Sequence, residues 1–165
     1  MKIFGFAGWS GSGKTTLIEQ VIPRFVHVGL KVSLIKHAHH RFDVDQPGKD
    51  SYRHRAAGCS EVLVTSGERW ALMHEMLGEP EATLEEQIAR MSPCDLLLIE
   101  GYKRYPLPKL EIYRAANGKP LLHPDDEHIV ALATDMPVES RLPQFGLEDY
   151  DAIAAFVLDN LELTR

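Results

Sequence analysis

Cysteine is scarce in this chain: Cys59 and Cys94 are the only two among 165 residues. Two such residues, far apart, make neither a disulfide framework nor a zinc motif by themselves, so a reducing cytoplasm is the expected setting. Long apolar runs are missing too, none approaching the ~18 residues of a membrane span. Met1-Lys2-Ile3-Phe4 passes into a glycine-rich segment before a leader's apolar region and cleavage site could fit, so neither a membrane anchor nor a secretory leader is expected. Excess positive charge is also lacking. Eighteen Lys and Arg against 24 Asp and Glu leave a formal net charge of −6, which disfavours a general nucleic-acid or acidic-membrane binder while leaving room for a local basic patch. There is no internal repeat and no low-complexity segment. What remains, 44% hydrophobic and 25% charged, is the composition of an ordinary soluble protein, and the length suits one domain, 1–165, with a real core.

The most informative stretch runs Gly8-Trp9-Ser10-Gly11-Ser12-Gly13-Lys14-Thr15-Thr16. It fits the P-loop spacing: a glycine, four free positions, then Gly-Lys and a hydroxyl residue. Backbone N–H groups can wrap a phosphate only where the chain turns tightly, so Gly8, Gly11 and Gly13 supply conformations that a Cβ would forbid. Ser10, Ser12 and Thr16 complete the cradle, Lys14 reaches the β/γ-phosphates, and Thr15 offers its hydroxyl to Mg²⁺. The flanks agree with this reading. Ile3 to Ala7 reads as a buried strand, and Leu17, Ile18, Val21, Ile22 and Phe25 recur at helical spacing. Pro23 is expected to perturb that helix and Gly29 to end it.

Lys31 to Lys36 reads as a second strand, which closes a right-handed βαβ unit and brings both strand ends to one crevice. The polar segment that follows, His37 to Ser51, is read as a ligand-responsive loop rather than a merely solvated one. In it Asp43 is assigned to the Mg²⁺ shell and Asp45 to the positioning of an attacking water, with Asp50 as a further oxygen donor. His37, His39 and His40 could instead meet a transition metal, a phosphate or a partner.

Downstream, Glu61 to Thr65 and Arg69 to His74 read as strands, with Trp70 taken for core or interface packing. Thr83 and Glu86 form a capping box ahead of a helix. Cys94 to Gly101 carries four consecutive aliphatics, which suit a strand buried on both faces, with Glu100 at its carboxyl end in the magnesium-managing Walker B role. Lys103, Arg104 and Lys109 crowd the next loop, as attractants for an acidic partner or a phosphorylated substrate or as solvated side chains. Leu110 to Arg114 and Ile129 to Ala133 read as strands. Asp135 just beyond them can accept from guanine N1 and N2, a donor pair that adenine lacks. An amphipathic helix over Asp149 to Leu161 closes the chain. The expected fold class is α/β: a mostly parallel P-loop NTPase sheet flanked by helices on both faces.

The P-loop, Lys36 to His40, Asp43-Val44-Asp45, Pro47 to Ser51, Arg69-Trp70-Ala71, Glu100 to Lys103 and Ala133-Thr134-Asp135 together resemble the MobB-type molybdopterin-guanine dinucleotide biosynthesis proteins. The resemblance implies a small GTP-binding protein that uses Mg²⁺, is usually a homodimer, and assists the guanylyltransferase that joins GMP to molybdopterin. It also implies poor GTP hydrolysis, raised by a partner. The residues supply a reason: no second lysine stands near Trp9 or Ser10, and no glutamine or arginine finger is placed by motif. The Asn-Lys-x-Asp guanine signature of Ras-like GTPases is absent, so guanine preference rests on the likeness and Asp135. Two other readings are a small-molecule kinase, with Arg53, Arg55, Arg104 and Arg114 as candidate lid arginines, and a metal-delivery GTPase using His37, His39, His40 and Cys59.

Overall fold

The computed structural model describes residues 1–38 and 42–163. Its strands are β1 Lys2–Ala7, β2 Val32–Lys36, β3 Glu61–Thr65, β4 Trp70–His74, β5 Leu96–Glu100, β6 Lys109–Tyr113, β7 Ile129–Thr134 and β8 Gln144–Gly146. The helices are α1 Lys14–His27, α2 Asp50–Ala56, α3 Leu84–Arg90 and α4 Tyr150–Asn160. Contacts divide the chain into two compact units, Met1–His37 with Ser92–Arg165, and Ala38–Met91.

The first unit is a six-stranded sheet in the order β2-β5-β1-β6-β7-β8, with every neighbouring pair parallel. Period-2 alternation sorts its side chains. Phe4, Phe6, Leu96, Leu98, Leu110, Ile112, Ala131 and Ala133 point to one face, where Leu17, Val21 and Phe25 of α1 and Ile153 and Val157 of α4 seal them. Each such large side chain contributes about 1.5–3 kcal/mol on burial. Pro23 lies inside α1 without ending it. The helix runs on to His27 because the buried faces before and after the proline hold the two halves in line, at the loss of one backbone hydrogen bond.

Over β1 and β6, the opposite face is covered by the segment before β6 and by the turns between β6 and β7. A Cβ on Gly5 would lie 2.6 Å from Leu107 Cδ1, so the segment before β6 packs directly on β1. Two charged side chains of β6 are fully buried beneath that cover. Glu111 accepts the N–H groups of Leu122 and His123 at 2.7 and 2.9 Å. Lys109 donates to Asp126 Oδ2 at 2.6 Å and to the Lys103 carbonyl at 3.2 Å. Lys109 is therefore neither a loop residue nor a solvated one: the strand starts one residue earlier than its alternation suggests, and the side chain is 2% exposed. β5 is buried at every position. At its foot the Asp95 carboxylate accepts the Lys31 N–H at 2.7 Å and the Asp95 carbonyl accepts the Lys2 N–H at 2.9 Å.

The second unit holds the antiparallel hairpin of β3 and β4, α2, and α3 with the expected Thr83–Glu86 capping box. Leu63 pairs with Leu72 and Thr65 with Trp70 across one hairpin face, and Leu63, Leu72 and Trp70 are 59%, 50% and 65% exposed. Trp70 is thus outside the core.

Candidate functional site

β1 is buried over its last four residues and delivers the chain into the glycine-rich loop at the sheet's carboxyl edge. Gly8 sits at φ +152°, and a Cβ there would stand 2.4 Å from the Ile112 carbonyl oxygen, a backbone atom that cannot rotate away. Gly13, left-handed at φ 95°, is the N-cap of α1. No side chain caps that helix and its first turn holds no acidic residue, so the amide donors and the positive end of the helix are left for an anion. Lys14 Nζ donates to the Gly8 and Trp9 carbonyls at 3.0 and 2.9 Å, which arches the lysine over the loop. Burial lowers its pKa, the nearby Lys103 and Lys36 ammoniums act the same way, and Glu100 opposes them.

Parallel register sets the metal-handling residues side by side. β1 and β2 both pair with β5, which places Phe6 and Lys36 opposite Glu100. Thr15 donates to Glu100 Oε1 at 2.8 Å, and Lys36 Nζ lies 3.3 Å from the same hydroxyl and 3.4 Å from the carboxylate. Adjacent ligands of an octahedral Mg²⁺ at ~2.1 Å stand about 3 Å apart. The Thr15–Glu100 spacing of 2.8 Å matches such an edge, and both donors are hard oxygens, so this pair fits the ion.

On the α4 side of the loop lies a cavity of about 400 Å³, lined by Ser12, Thr16, Arg114, Asp135, Asp149 and Tyr150 among others. Ser12 is 1% exposed and its Oγ has no hydrogen-bond partner among the described residues. Asp135, one residue past β7, accepts the Ala115 N–H through Oδ1 at 2.9 Å. Gly11 is flanked by Asn117, whose amide donates to the Ser10 carbonyl at 3.3 Å.

The cavity's far wall was not legible in the sequence. It depends on β8, three residues long, and on Gly146 to Tyr150, where the Asp149 carboxylate accepts the Gly146 N–H at 2.7 Å. A Gly followed three residues later by an Asp at a helix start is the one local signal.

A larger hollow, about 880 Å³, opens on the other side of Trp9. The indole N–H donates to the Pro120 carbonyl at 2.8 Å, and Lys103 Nζ lies 4.3 Å from the ring centroid, a cation–π contact.

In the second unit, Arg55 organises the acidic residues. Its guanidinium bonds both Asp43 oxygens at 2.7 Å and Glu75 at 2.9 Å, and Asp45 stands 3.8 Å away. Asp45 also accepts from Ser51 at 2.9 Å. The bond to Arg55 is the main reason the Asp43 carboxyl titrates below its usual range. Asp50 opens α2. His37 follows β2 and packs on Tyr102, ring centroids 4.7 Å apart. His39 and His40 lie outside the described residues. Among the described residues, no group of three His, Cys, Asp or Glu could hold a metal ion. No helix among the described residues is long and apolar enough to cross a membrane.

Comparison with known proteins gives concordant findings. The family model described as molybdopterin guanine dinucleotide synthesis protein B, MobB, matches residues 3–135. The molybdopterin-guanine dinucleotide biosynthesis adapter protein of Escherichia coli (strain K12) is 41% identical over 160 residues, 95% of this chain and 91% of that one. The protein of the same name from Haemophilus influenzae is 40% identical over 159 residues, 94% of this chain and 86% of that one. A crystal structure of molybdopterin-guanine biosynthesis protein B superposes with a TM-score of 0.76 at 25% identity, covering 96% of this chain and 99% of the other.

Proposed function

This chain belongs to the MobB family, and from that premise we propose that it is a GTP-binding adapter in the synthesis of the guanine dinucleotide form of the molybdenum cofactor. The observation that carries the nucleotide half of this reading is the Thr15–Glu100 pair beside the uncapped N-terminus of α1. In this reading the amides of Gly11 to Thr16 and the Lys14 ammonium hold the β- and γ-phosphates, and Thr15 and Glu100 serve Mg²⁺, which neutralises charge on the phosphates when bound. The base enters the cavity beside Thr16 and Asp135, whose carboxylate accepts from guanine N1 and N2, and Arg114, whose Nη2 lies 3.5 Å from where a Cβ on Gly13 would stand, borders the phosphate loop. Asp43 and Asp45 remain the proposed metal-facing and water-positioning groups, respectively, of the His37 to Ser51 segment, and each has to part from Arg55 to act.

Hydrolysis is slow in this reading. Among the described residues, glutamine or arginine side chains that orient the attacking water are not marked by any motif, and a partner is the source of acceleration. The partner is the enzyme that transfers GMP to molybdopterin, which the adapter names of the relatives support. A second copy of this chain is proposed to cover Leu63, Trp70 and Leu72, an apolar patch on a hairpin face that water would otherwise hydrate.

Calorimetric titration of GTP, GDP and ATP, each with and without Mg²⁺, tests the nucleotide assignment, and tighter binding of ATP than of GTP refutes it. Leu72→Lys tests the homodimer: it is expected to yield monomer by sedimentation, and an unchanged dimer rejects that face.

A further inference from the structure

Glu100 is a carboxylate with a side chain 6% exposed, and a buried charge of this kind requires a counter-ion. Among the described residues, the cation nearest its Oε1 is Lys36, at 3.4 Å, and the same ammonium lies 3.3 Å from Thr15 Oγ1. Being nearly equidistant from both oxygens, Nζ lies close to the plane that bisects their separation. An ion ligated equally by the two must lie in that plane too. With metal–oxygen distances of ~2.1 Å, the ion and the ammonium would then stand between about 1.5 and 4.6 Å apart. Over that whole range two cations contend for one carboxylate and one hydroxyl.

Lys36 is also equipped to leave. Its backbone is fixed in β2 opposite Glu100, but its side chain is 51% exposed on a flexible four-carbon stem. Lys14, the other cation close to Glu100, is anchored by two carbonyls of the loop and is not free to trade places.

We infer that Lys36 is a positioning residue that occupies the magnesium seat in the nucleotide-free protein and surrenders it by transferring its ammonium to the incoming triphosphate. The inference rests on the proposed nucleotide site and assigns a new role within it. Metal and nucleotide are thereby made to enter together: without phosphates the ammonium has, among the described residues, no carboxylate but Glu100 within 4 Å, and Mg²⁺ is excluded from Thr15 and Glu100. Replacing Lys36 acts in opposite directions on the two ligands. Removing the competitor strengthens binding of the metal alone, and removing a phosphate-facing charge weakens binding of metal-free GTP. A side chain needed only for folding would weaken both.

The test uses the full chain and its Lys36→Met, Lys36→Gln and Lys36→Arg variants, with folding checked by circular dichroism. Mn²⁺ is titrated as a paramagnetic stand-in for Mg²⁺ without nucleotide, and a fluorescent GTP analogue is titrated in EDTA. The expected result is Mn²⁺ binding tightened about tenfold or more in the Met and Gln variants, as for removal of one like charge at a few ångströms. EDTA-phase GTP binding weakens about threefold to tenfold in the same two variants, and Lys36→Arg stays near the native values on both measures. Unchanged or weaker Mn²⁺ binding in the Met and Gln variants, with GTP still bound by the native chain, overturns the role of Lys36 and leaves the phosphate loop standing. Failure of the native chain to bind GTP with or without metal removes the nucleotide site and this role with it.

Discussion

Asp126→Asn probes the buried pair that pins the loop over the second sheet face. Lys109 is 2% exposed and Asp126 16%, with 2.6 Å between Nζ and Oδ2. The asparagine keeps a carbonyl for Nζ, and the Lys103 carbonyl stays at 3.2 Å, so what is lost is the opposing charge. Leaving one member of a buried pair without its partner costs 3–5 kcal/mol, and the residual acceptors and partial exposure put this case at about 3 kcal/mol. For a chain of this size that corresponds to a fall in Tm of about 6–12 °C.

The pH dependence has a definite sign. Burial raises the Asp126 pKa, but the Lys109 ammonium and the His128 N–H outweigh it, and the net shift is downward. The pair's contribution is therefore complete above the unfolded value of about 4 and drains away as pH falls through the depressed folded one. The Asn variant lacks that acid limb. Urea unfolding at several pH values, in a Trp70→Phe background so that Trp9 alone reports on the first unit, measures both effects. The double variant Lys109→Met with Asp126→Asn should return to within about 1 kcal/mol of the parent. A single-variant cost under about 0.5 kcal/mol, the scale of an exposed ion pair, refutes the reasoning.

Lys14→Ala should weaken GTP binding about 100-fold or more while leaving the far-ultraviolet circular dichroism intact, since among the described residues the side chain bonds to two loop carbonyls alone. Native-like affinity in that variant would falsify the phosphate-loop assignment. Gly8→Ala drives a Cβ against a backbone carbonyl, so we expect a loss of about 2–4 kcal/mol in stability and no measurable nucleotide binding, and a well-folded, GTP-competent variant would contradict the geometry. Asp135→Asn should lower the GTP-over-ATP preference by about 10- to 100-fold and improve binding of xanthosine triphosphate, read by competition against a fluorescent nucleotide. An unaltered preference removes Asp135 from base recognition.

The phosphate loop was legible in the sequence because its chemistry is local: spacing and glycine content within nine residues fix both turn and helix start. Glu100 was legible because a run of four aliphatics sets its strand, and the strand's end sets its place. Lys36 as its neighbour was not, since that contact depends on which strand lies beside β5, and order within a sheet is decided by packing across the whole unit. In the sequence Lys109 reads as a loop residue and Glu111 as one position of an alternating strand. They are instead buried beneath a segment up to 17 residues further on, a pairing no short-range pattern encodes. β8 escaped notice because three residues carry no periodicity.

The aliphatic run of β5 is greasy on both sides, so sliding it by one residue would leave its contacts with β1 and β2 almost equally comfortable while swinging Glu100 off the Thr15 side. What tells one alignment from the next is the polar clasp at the opposite end, where the Asp95 carboxylate grips the Lys31 N–H just before β2. An aspartate at the foot of the sheet thus keeps time for a glutamate at its head, and damage to the first should surface as trouble at the second.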